Sequence, residues 1–396
     1  MSKLALRGGN PIRTRSFPSW PCIGNNDIQF INNTLHKSSW WRGMGKEKSE
    51  IEQFESLFSE RHGSKYGLTI VNGTAALNVA VQAMELEPES EIIVTPYTYA
   101  ASAFCIIKAG LKPVFVDIDP KTYNIDPLCI EEAITERTKG IILVHFGGNP
   151  VDFDNIIPLV NKYNLTIIED CAHAHGAEWR NKPVGSWGEI ACFSFHAAKN
   201  LTCGEGGFIT TSSDVLYDRC WTLHNMGRRI GGEWYEHRCF GENLRFNPLS
   251  ASLLLSQYQN FDILQERRKN NMNYFRRLLS NVLFLEPLFQ DERVTRHGLH
   301  LFICRYHSEL LHGIPRHRFV TAMQAEGIPC HVGYKFPLYL NKPLEKFKRE
   351  CPNAEKACYQ EAIWFDQRLF LGTQEDIVDI YNAIKKIQEN YLGLCR

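Results

Sequence analysis

From residue 66 to residue 211, short apolar runs alternate with longer amphipathic stretches, and this alternation constrains the fold more than any other feature. The short runs are rich in β-branched residues, which predicts buried strands, and the longer stretches have helical spacing. Strands that alternate with helices form a mostly parallel sheet covered on both faces, so we predict the α/β class. The predicted strands are 67–71, 91–95, 113–117, 140–145, 165–169, 190–195 and 208–211, and the predicted helices are 75–86, 100–109, 127–135 and 153–163.

Polar residues follow or end four of these predicted strands. They are Thr95, Asp117, His145 and Asp170. Because ligands of parallel α/β sheets bind outside the carboxyl ends of the strands, we expect the functional site at this edge of the sheet.

The pattern changes beyond residue 245, which predicts a smaller C-terminal α+β domain. Its predicted elements are a long connecting helix at 248–279, a strand at 299–306, and helices at 315–326 and 375–391. We therefore predict a large domain over residues 1–265, whose first 30 residues pack on the small domain, and a small domain over residues 266–396. Residues 226–242, rich in Gly, Arg and aromatic side chains, predict a loop.

Composition narrows the range of partners and compartments. The 396 residues include 44 basic and 44 acidic side chains, and a net charge of zero argues against nucleic acid or an anionic membrane as a partner. No apolar stretch approaches the length of a membrane span, and the N-terminus lacks the apolar core of a signal peptide. The 13 cysteines are scattered and odd in number, which predicts reduced thiols and a cytoplasmic protein.

Lys199 stands just beyond the predicted strand at 190–195. Burying an ammonium group is costly unless the group is paired or loses its proton. A lysine with a lowered pKa is a nucleophile that forms a Schiff base with an aldehyde or ketone. Taken alone, the segment also fits a loop lysine that points at solvent.

Two further places along the chain suggest a cofactor. Asp170 ends a strand, where it fits either the partner of a protonated ring nitrogen or an ordinary helix N-cap. The segment Asn72-Gly-Thr-Ala-Ala76 follows a strand and opens a helix. Gly73 permits a close approach of the backbone and Thr74 adds a hydroxyl, which fits a phosphate, although many strand-to-helix turns share this pattern.

Aromatic and imidazole side chains complete the set. Tyr99 begins the next helix, where its ring fits stacking on a flat cofactor or ordinary packing. His173 follows Asp170 by three residues and fits either stacking or contact with a phenolic oxygen. His173 and His175 have His-x-His spacing, but no third ligand is suggested nearby, so we expect no metal site.

The order of these residues fits pyridoxal phosphate (PLP). In chain order they are the anion turn at residues 73–74, the aromatic Tyr99, the strand-end acid Asp170, and then Ser194 and Lys199. PLP offers a phosphate for the turn, a ring for stacking, a pyridine nitrogen for the acid and an aldehyde for the lysine. The chain has no Gly-x-Gly-x-x-Gly motif at a strand-to-helix turn, which counts against a nicotinamide dehydrogenase.

Seven longer motifs carry a resemblance to a known family. They are Glu169-Asp-Cys-Ala-His-Ala-His-Gly-Ala177, Val184-Gly-Ser, Phe193-Ser-Phe with Lys199-Asn, Gly204-Glu-Gly-Gly207, Asp117-Ile-Asp119, Thr122-Tyr-Asn-Ile-Asp126 and Glu242-Asn-Leu-Arg245. With these motifs the chain resembles the DegT/DnrJ/EryC1/StrS aminotransferases from about residue 10 to residue 387. The resemblance implies the fold type I PLP-dependent architecture, with a mostly parallel seven-stranded sheet, and a homodimer with shared active sites.

The resemblance also implies roles for the cofactor-binding residues. Lys199 would form the Schiff base with PLP, and Asp170 would pair with the ring nitrogen. Gly73, Thr74 and Ser194 would bind the phosphate.

Three further positions follow from the same resemblance. Tyr99 would stack on the cofactor ring, and Asn243 would reach the phosphate of the other subunit's cofactor. His173 stands where many sugar aminotransferases carry glutamine. In this respect the chain is similar to the glutamine:scyllo-inosose aminotransferases and the 3-amino-5-hydroxybenzoate synthases.

The predicted function is transfer of an amino group from glutamine or glutamate to a keto-sugar or keto-cyclitol, in amino-sugar, aminocyclitol or antibiotic biosynthesis. The predicted catalytic residues are Lys199, Asp170 and His173, with Lys199 moving the proton. The loop at 226–242 fits acceptor recognition or a plain solvated loop. The alternatives are a PLP-dependent dehydration and aromatisation, as in the benzoate synthases, and a PLP-binding regulatory protein without turnover.

Overall fold

The computed structural model describes residues 3–37, 40, 42–43 and 48–394, and their centre is a seven-stranded sheet. The strands in chain order are β1 (Tyr66–Ile70), β2 (Glu91–Val94), β3 (Lys112–Phe115), β4 (Thr138–Val144), β5 (Thr166–Asp170), β6 (Glu178–Trp179), β7 (Lys182–Pro183), β8 (Ile190–Ser194), β9 (Gly207–Thr211), β10 (Leu285–Pro287), β11 (Leu301–Tyr306) and β12 (Ala362–Asp366). The helices are α1 (Asn25–Leu35), α2 (Glu50–Arg61), α3 (Gly73–Ala83), α4 (Ala101–Lys108), α5 (Pro127–Glu131), α6 (Phe153–Tyr163), α7 (Asp214–His224), α8 (Pro248–Leu279), α9 (Arg316–Ala325), α10 (Pro352–Lys356) and α11 (Gln374–Glu389).

The large sheet has the order β1-β9-β8-β5-β4-β2-β3. The pairs β2–β3, β2–β4, β4–β5 and β5–β8 are parallel, and β9 runs antiparallel to both β1 and β8. The mostly parallel α/β sheet predicted from the sequence is therefore confirmed, and each of its seven strands lies within two residues of its predicted bounds.

Helix α5 is shorter than predicted: it ends at Glu131, whereas the prediction extended to residue 135. The Thr135 hydroxyl donates to Glu91 Oε2 at 2.6 Å, and the backbone N–H of Glu91 donates to Arg137 O at 2.9 Å. These bonds draw the chain toward the start of β2, which ends the helix early.

Side chains alternate between two apolar cores on opposite faces of the sheet. Ile92 and Ile142 pack on one face, whereas their neighbours Ile93 and Ile141 pack on the other. A strand whose two faces are both buried has a continuous apolar sequence, which explains the unbroken apolar runs.

A third core lies in the C-terminal part, around the antiparallel sheet β10-β11-β12. Helix α8 contributes Met272, Phe275 and Leu279 to this core, while its first half packs on α1 and α2. The predicted boundary near residue 265 thus falls inside one continuous helix, and the division into domains stays a prediction.

The N-terminal residues contact the C-terminal part before the chain reaches α1. Leu4 belongs to the third core, and Arg13 Nη1 lies 2.7 Å from the carboxylates of both Asp376 and Asp379. Helix α1 then packs on the first half of α8, where Gln257 Nε2 donates to Asp27 Oδ1 at 2.9 Å.

The structure also describes the segment at residues 226–242, most of the cysteines and the apolar character of the helices. Residues 226–242 form no helix or strand of the main sheets, and Phe240 in this loop is fully exposed. Every described cysteine is a free thiol, and Cys171 and Cys192 are buried in apolar cores. Within the described ranges, no helix is long and apolar enough to cross a membrane.

Candidate active site

A cavity of about 750 Å³ opens at the carboxyl ends of β5 and β8, beside the first turn of α3. Seven of the eight predicted site residues line it: Gly73, Thr74, Tyr99, Asp170, His173, Ser194 and Lys199. The eighth, Asn243, is exposed and does not line the cavity of its own chain. The predicted location at the carboxyl edge of the sheet is therefore where the structure brings these residues together.

The first turn of α3 forms one wall. Asn72 Oδ1 accepts the N–H of Ala75 at 2.8 Å, and the preceding N–H groups of the helix, at Gly73 and Thr74, have no acceptor within it. A Cβ on Gly73 would lie 2.7 Å from Ser194 Cβ, so glycine is what lets the helix start and Ser194 meet. A helix N-terminus, two hydroxyls and a close backbone form a donor set that suits a phosphate.

Asp170 forms the floor at the end of β5 and is 6% exposed. Its Oδ2 accepts the hydroxyl of Ser102 at 2.7 Å, and its Oδ1 accepts the N–H of Ala172 at 3.2 Å. The Ser102 hydroxyl also lies 3.0 Å from that of Thr98. An ionised carboxylate has room for further hydrogen bonds, so Asp170 can accept one more from a donor inside the cavity.

Lys199 enters the cavity from the loop after β8. Burial lowers the pKa of its ammonium group to about 8, and the nearby Asp170 carboxylate only partly opposes that shift. A lysine with this pKa is about half neutral amine at pH 8 and can act as a nucleophile or a base.

His173 faces the cavity as a neutral imidazole. Its Nδ1 accepts the N–H of Gly147 at 3.3 Å, which leaves its proton on Nε2. Burial lowers the pKa of His173 well below its usual range, and the charge of Lys199 adds to this. The ring is therefore suited to stacking and to donating through Nε2.

His175 is oriented differently from His173. Its Nε2 donates to Ser194 O at 2.8 Å, and the whole side chain is buried against aromatic rings. Elsewhere His145, Glu169 and Cys171 hold possible ligand atoms within 4.8 Å of one another. The Glu169 carboxylate there already accepts three backbone N–H groups, from Gly185, Trp187 and Gly188, so it serves as an anchor for that loop.

The other polar residues at the strand ends do not line the cavity. The Asp117 carboxylate accepts the N–H groups of Asn353 and Ala354 at 2.8 and 2.9 Å, which fixes the first turn of α10. His145 donates from Nε2 to Glu169 at 3.2 Å, below the sheet edge. Of the four strand-end residues, Asp170 alone reaches the cavity among the residues that the structure describes.

Three further residues that the sequence did not single out lie at or beside the cavity. Ser102 binds Asp170, and His196 and Glu205 line the cavity, with 3.8 Å between His196 Nε2 and Glu205 Oε1. No local pattern pointed to Ser102, because Thr98, its hydroxyl neighbour, lies before α4, and Asp170 is 68 residues away along the chain.

The family model of the DegT/DnrJ/EryC1/StrS aminotransferases matches residues 21–385. The chain belongs to this family. Membership in the family identifies the chain as a PLP-dependent transaminase, and the predicted family and enzyme class are confirmed.

Relatives of this family member extend over its whole length. A protein of Micromonospora echinospora, provisionally named L-glutamine:3-amino-2,3-dideoxy-scyllo-inosose aminotransferase, is 33% identical over 98% of this chain and 97% of its own. The L-glutamine:scyllo-inosose aminotransferase of Streptomyces griseus is 31% identical over 100% of both chains. The crystal structure of a 3-amino-5-hydroxybenzoic acid synthase has a TM-score of 0.87 and 29% identity, covering 94% of this chain and 99% of that one.

Proposed function

We propose that this chain transfers an amino group from glutamine or glutamate to the ketone of a cyclitol or sugar, with PLP held in the cavity. The observation that carries the proposal is the grouping of Lys199, Asp170 and the α3 turn around one cavity. The names of the M. echinospora and S. griseus relatives favour glutamine as the amino donor and a keto-cyclitol as the acceptor. The same names favour a role in aminocyclitol antibiotic biosynthesis.

The cavity residues fit PLP in three places. Gly73, Thr74 and Ser194 would hold the phosphate, because they present backbone N–H groups and hydroxyls at a helix N-terminus. Asp170 would accept the proton-bearing ring nitrogen, and Lys199 would bind the aldehyde carbon covalently. When bound, PLP supplies an electron-withdrawing ring that stabilises negative charge on the amino donor's Cα.

The side chains of the cavity would then move the proton. Lys199, as a free amine, would take the proton from the Cα of the amino donor, and in the second half-reaction it would deliver a proton to the acceptor carbon that receives the amino group. Its lowered pKa, about 8, matches such a base near neutral pH. Asp170, held by the Ser102 hydroxyl and the Ala172 N–H, would face the ring nitrogen, and His173, which lines the same cavity, would pack beside the reacting atoms.

A second copy of the chain would complete the site. Asn243 is exposed outside its own cavity, and the loop at 226–242 carries Trp234, Tyr235 and Phe240, which are 76%, 80% and 105% exposed. Tyr99, at the cavity wall, is 67% exposed. Large exposed aromatic residues favour a protein interface, so we expect a homodimer in which these surfaces are covered.

Size measurement tests the homodimer. Light scattering should give about twice the mass of the 45.5 kDa chain. Phe240→Glu, which places a charge on the exposed loop, should shift the population toward monomer and slow amine transfer in proportion. A wild-type protein that stays monomeric at micromolar concentration contradicts the shared site.

The decisive experiment for the function is a pair of half-reactions. The purified chain with PLP should show the visible absorbance of the lysine-bound cofactor, and glutamine should bleach it. Adding scyllo-inosose should restore the absorbance and yield an amino-cyclitol. Bleaching without restoration by any keto-cyclitol or keto-sugar contradicts the proposed acceptor class, and an aromatic product would point to the benzoate-synthase chemistry instead.

Lys199→Ala is the matched variant for this experiment. It removes the amine, so the lysine-bound absorbance should be absent, and amine transfer should fall by roughly 10²–10⁴-fold. The far-ultraviolet circular dichroism should stay as in the wild type, because the side chain faces a cavity. Wild-type transfer by this variant contradicts the role of Lys199.

A further inference from the structure

A second histidine, His300, lies directly behind His173. The two ring centroids are 4.2 Å apart and the ring planes are inclined by 36°. His300 is 7% exposed, just before β11, and is not among the residues that line the cavity. His173 therefore faces the cavity while His300 supports it from the side of the C-terminal part.

The same side chain also contacts the segment that carries Lys199. Asn200 follows Lys199 and is 2% exposed. The amide nitrogen of Asn200 has three acceptors around it: Gly298 O at 2.8 Å, Leu299 O at 3.0 Å and Gln265 Oε1 at 3.1 Å. These acceptors fix the orientation of the amide, so its Oδ1 accepts from His300 Nδ1 at 3.3 Å, and Nδ1 carries the proton.

Backbone contacts join the two histidines through one loop. The N–H of His300 donates to Gly147 O at 3.1 Å, and the N–H of Gly147 donates to His173 Nδ1 at 3.3 Å. A Cβ on Gly148 would lie 2.8 Å from His173 O, which shows how closely this loop packs. His173, His300 and residues 147–148 thus form one packed unit.

Burial keeps the two imidazoles uncharged, and the neighbouring Lys199 acts in the same direction. His300 is close to His173, His175, Lys199 and Arg268, and burial together with these groups lowers the pKa of His300 well below its usual range. The pKa of His173 is lowered by burial and by Lys199 in the same way. A neutral pair acts through packing and hydrogen bonds rather than through charge.

We propose that His300 is a positioning residue for amine transfer, which holds the ring of His173 by stacking and the Lys199 segment through Asn200. This inference rests on the proposed function, because it assigns His300 a part in that reaction. Both contacts converge on side chains of the cavity, whereas His300 itself touches neither substrate nor cofactor. Small displacements of such groups slow a reaction strongly, since catalysis depends on alignment to a fraction of an ångström.

Three substitutions separate the two contacts. His300→Phe keeps a flat ring against His173 but removes the N–H that Asn200 accepts. His300→Asn places an amide N–H near the position of Nδ1 but removes the ring. His300→Leu removes both. His62→Phe is the matched control, because His62 is buried like His300, donates to one backbone carbonyl, Val184 O, at 2.7 Å, and lies outside the cavity.

The measurements use the holoenzyme well below its unfolding temperature. We expect the single-turnover rate with glutamine to fall roughly tenfold for the Phe and Asn variants and about 10²-fold for the Leu variant. The visible circular dichroism per bound cofactor, which reports how the cofactor sits in the cavity, should change in the same order. His62→Phe should lower the melting temperature without changing either signal.

Two outcomes overturn the inference and remain distinguishable from failure of the proposed function. Wild-type rate and circular dichroism in folded His300→Leu show that His300 has no positioning role. Equal changes in His62→Phe and His300→Phe show that the effect comes from stability alone. If the wild-type chain itself takes up no PLP or transfers no amine, the proposed function fails, and the role of His300 fails with it.

Discussion

Asp170 is held by two hydrogen bonds whose donors lie on different elements, the Ser102 hydroxyl on α4 and the Ala172 N–H beyond β5. These two donors use only part of the carboxylate's lone pairs, so the remaining lone pairs can accept a hydrogen bond from a group in the cavity. At the residue scale, the site therefore depends on pairs: one side chain presents the chemistry and a second side chain orients it. Lys199 with Asn200 and His173 with His300 follow the same arrangement.

Asp170→Asn tests the first pair. The amide still accepts from Ser102 but carries no charge to pair with a protonated ring nitrogen, so we expect amine transfer to fall by roughly 10²–10⁴-fold. The lysine-bound absorbance should remain, because Lys199 is intact. Ser102→Ala, which removes one hydrogen bond to a charged group, should slow transfer by about threefold to tenfold.

Asp117→Asn is the matched control, because Asp117 also stands at a strand end but binds the first turn of α10. It should lower the melting temperature and leave the rate per folded molecule unchanged. Equal loss of rate in the Asp117 and Asp170 variants would argue that neither acid acts on the cofactor.

At the element scale, the start of α3 and the end of β8 meet because Gly73 has no side chain. The meeting places the helix N-terminus and the Ser194 hydroxyl at the same end of the cavity. The local pattern of residues 72–76 predicts the helix start. Ser194 lies 121 positions after Gly73 along the chain, and only the fold brings the two together.

Gly73→Ala should weaken the binding of PLP. Its Cβ would lie 2.7 Å from Ser194 Cβ and 3.2 Å from Ser194 Oγ, so the helix start must move away from the strand. We expect an affinity loss of about 10-fold to 100-fold, measured by fluorescence titration of the cofactor-free protein. Gly24→Ala is the control, because a Cβ there approaches no atom closer than 4.0 Å.

A double-mutant cycle sharpens this test. Ser194→Gly removes the Cβ that collides with the new methyl group, so Gly73→Ala should cost less affinity in the Ser194→Gly background than in the wild type. Equal costs in both backgrounds would show that the collision is not the cause.

The sequence predicted the seven strands because each is an apolar run with β-branched residues, and their order along the chain was enough for the α/β class. The strand-end pattern alone does not separate Asp170 from Asp117 and His145, and Asp170 is singled out by the family resemblance. Tertiary contacts direct Asp117 to α10 and His145 to Glu169. The support of His173 by His300 also lay beyond local patterns, because the two residues are 127 positions apart.

At the scale of the whole molecule, buried neutral histidines connect stability to pH. Burial lowers the pKa of His62 and His224 from 6.5 to about 4, and that of His175 and His297 to about 3. Between pH 4 and pH 6.5 the unfolded chain binds protons at these positions that the folded chain does not. The free energy of unfolding therefore falls as the pH drops through this window.

His62→Phe should flatten this acid response. A pKa lowered from 6.5 to about 4 corresponds to as much as about 3 kcal/mol of stability lost toward pH 4. Urea unfolding at pH 7.5 and pH 4.5 should show a smaller difference for His62→Phe than for the wild type. The exposed His317, changed to Phe as a control, should leave the difference as it is, and an unchanged difference in both variants would contradict this account.

Helix α8 gives the molecule a further property. Its 32 residues span about 48 Å, and its two ends are built into different cores. One residue inserted near position 265 would turn the far end by about 100° and move it by about 1.5 Å, so that Phe275 would face away from its core. Recombination between relatives can therefore exchange segments at surface loops. A junction inside α8 must keep the number of helical residues unchanged, so that the apolar side chains at both ends still face their cores.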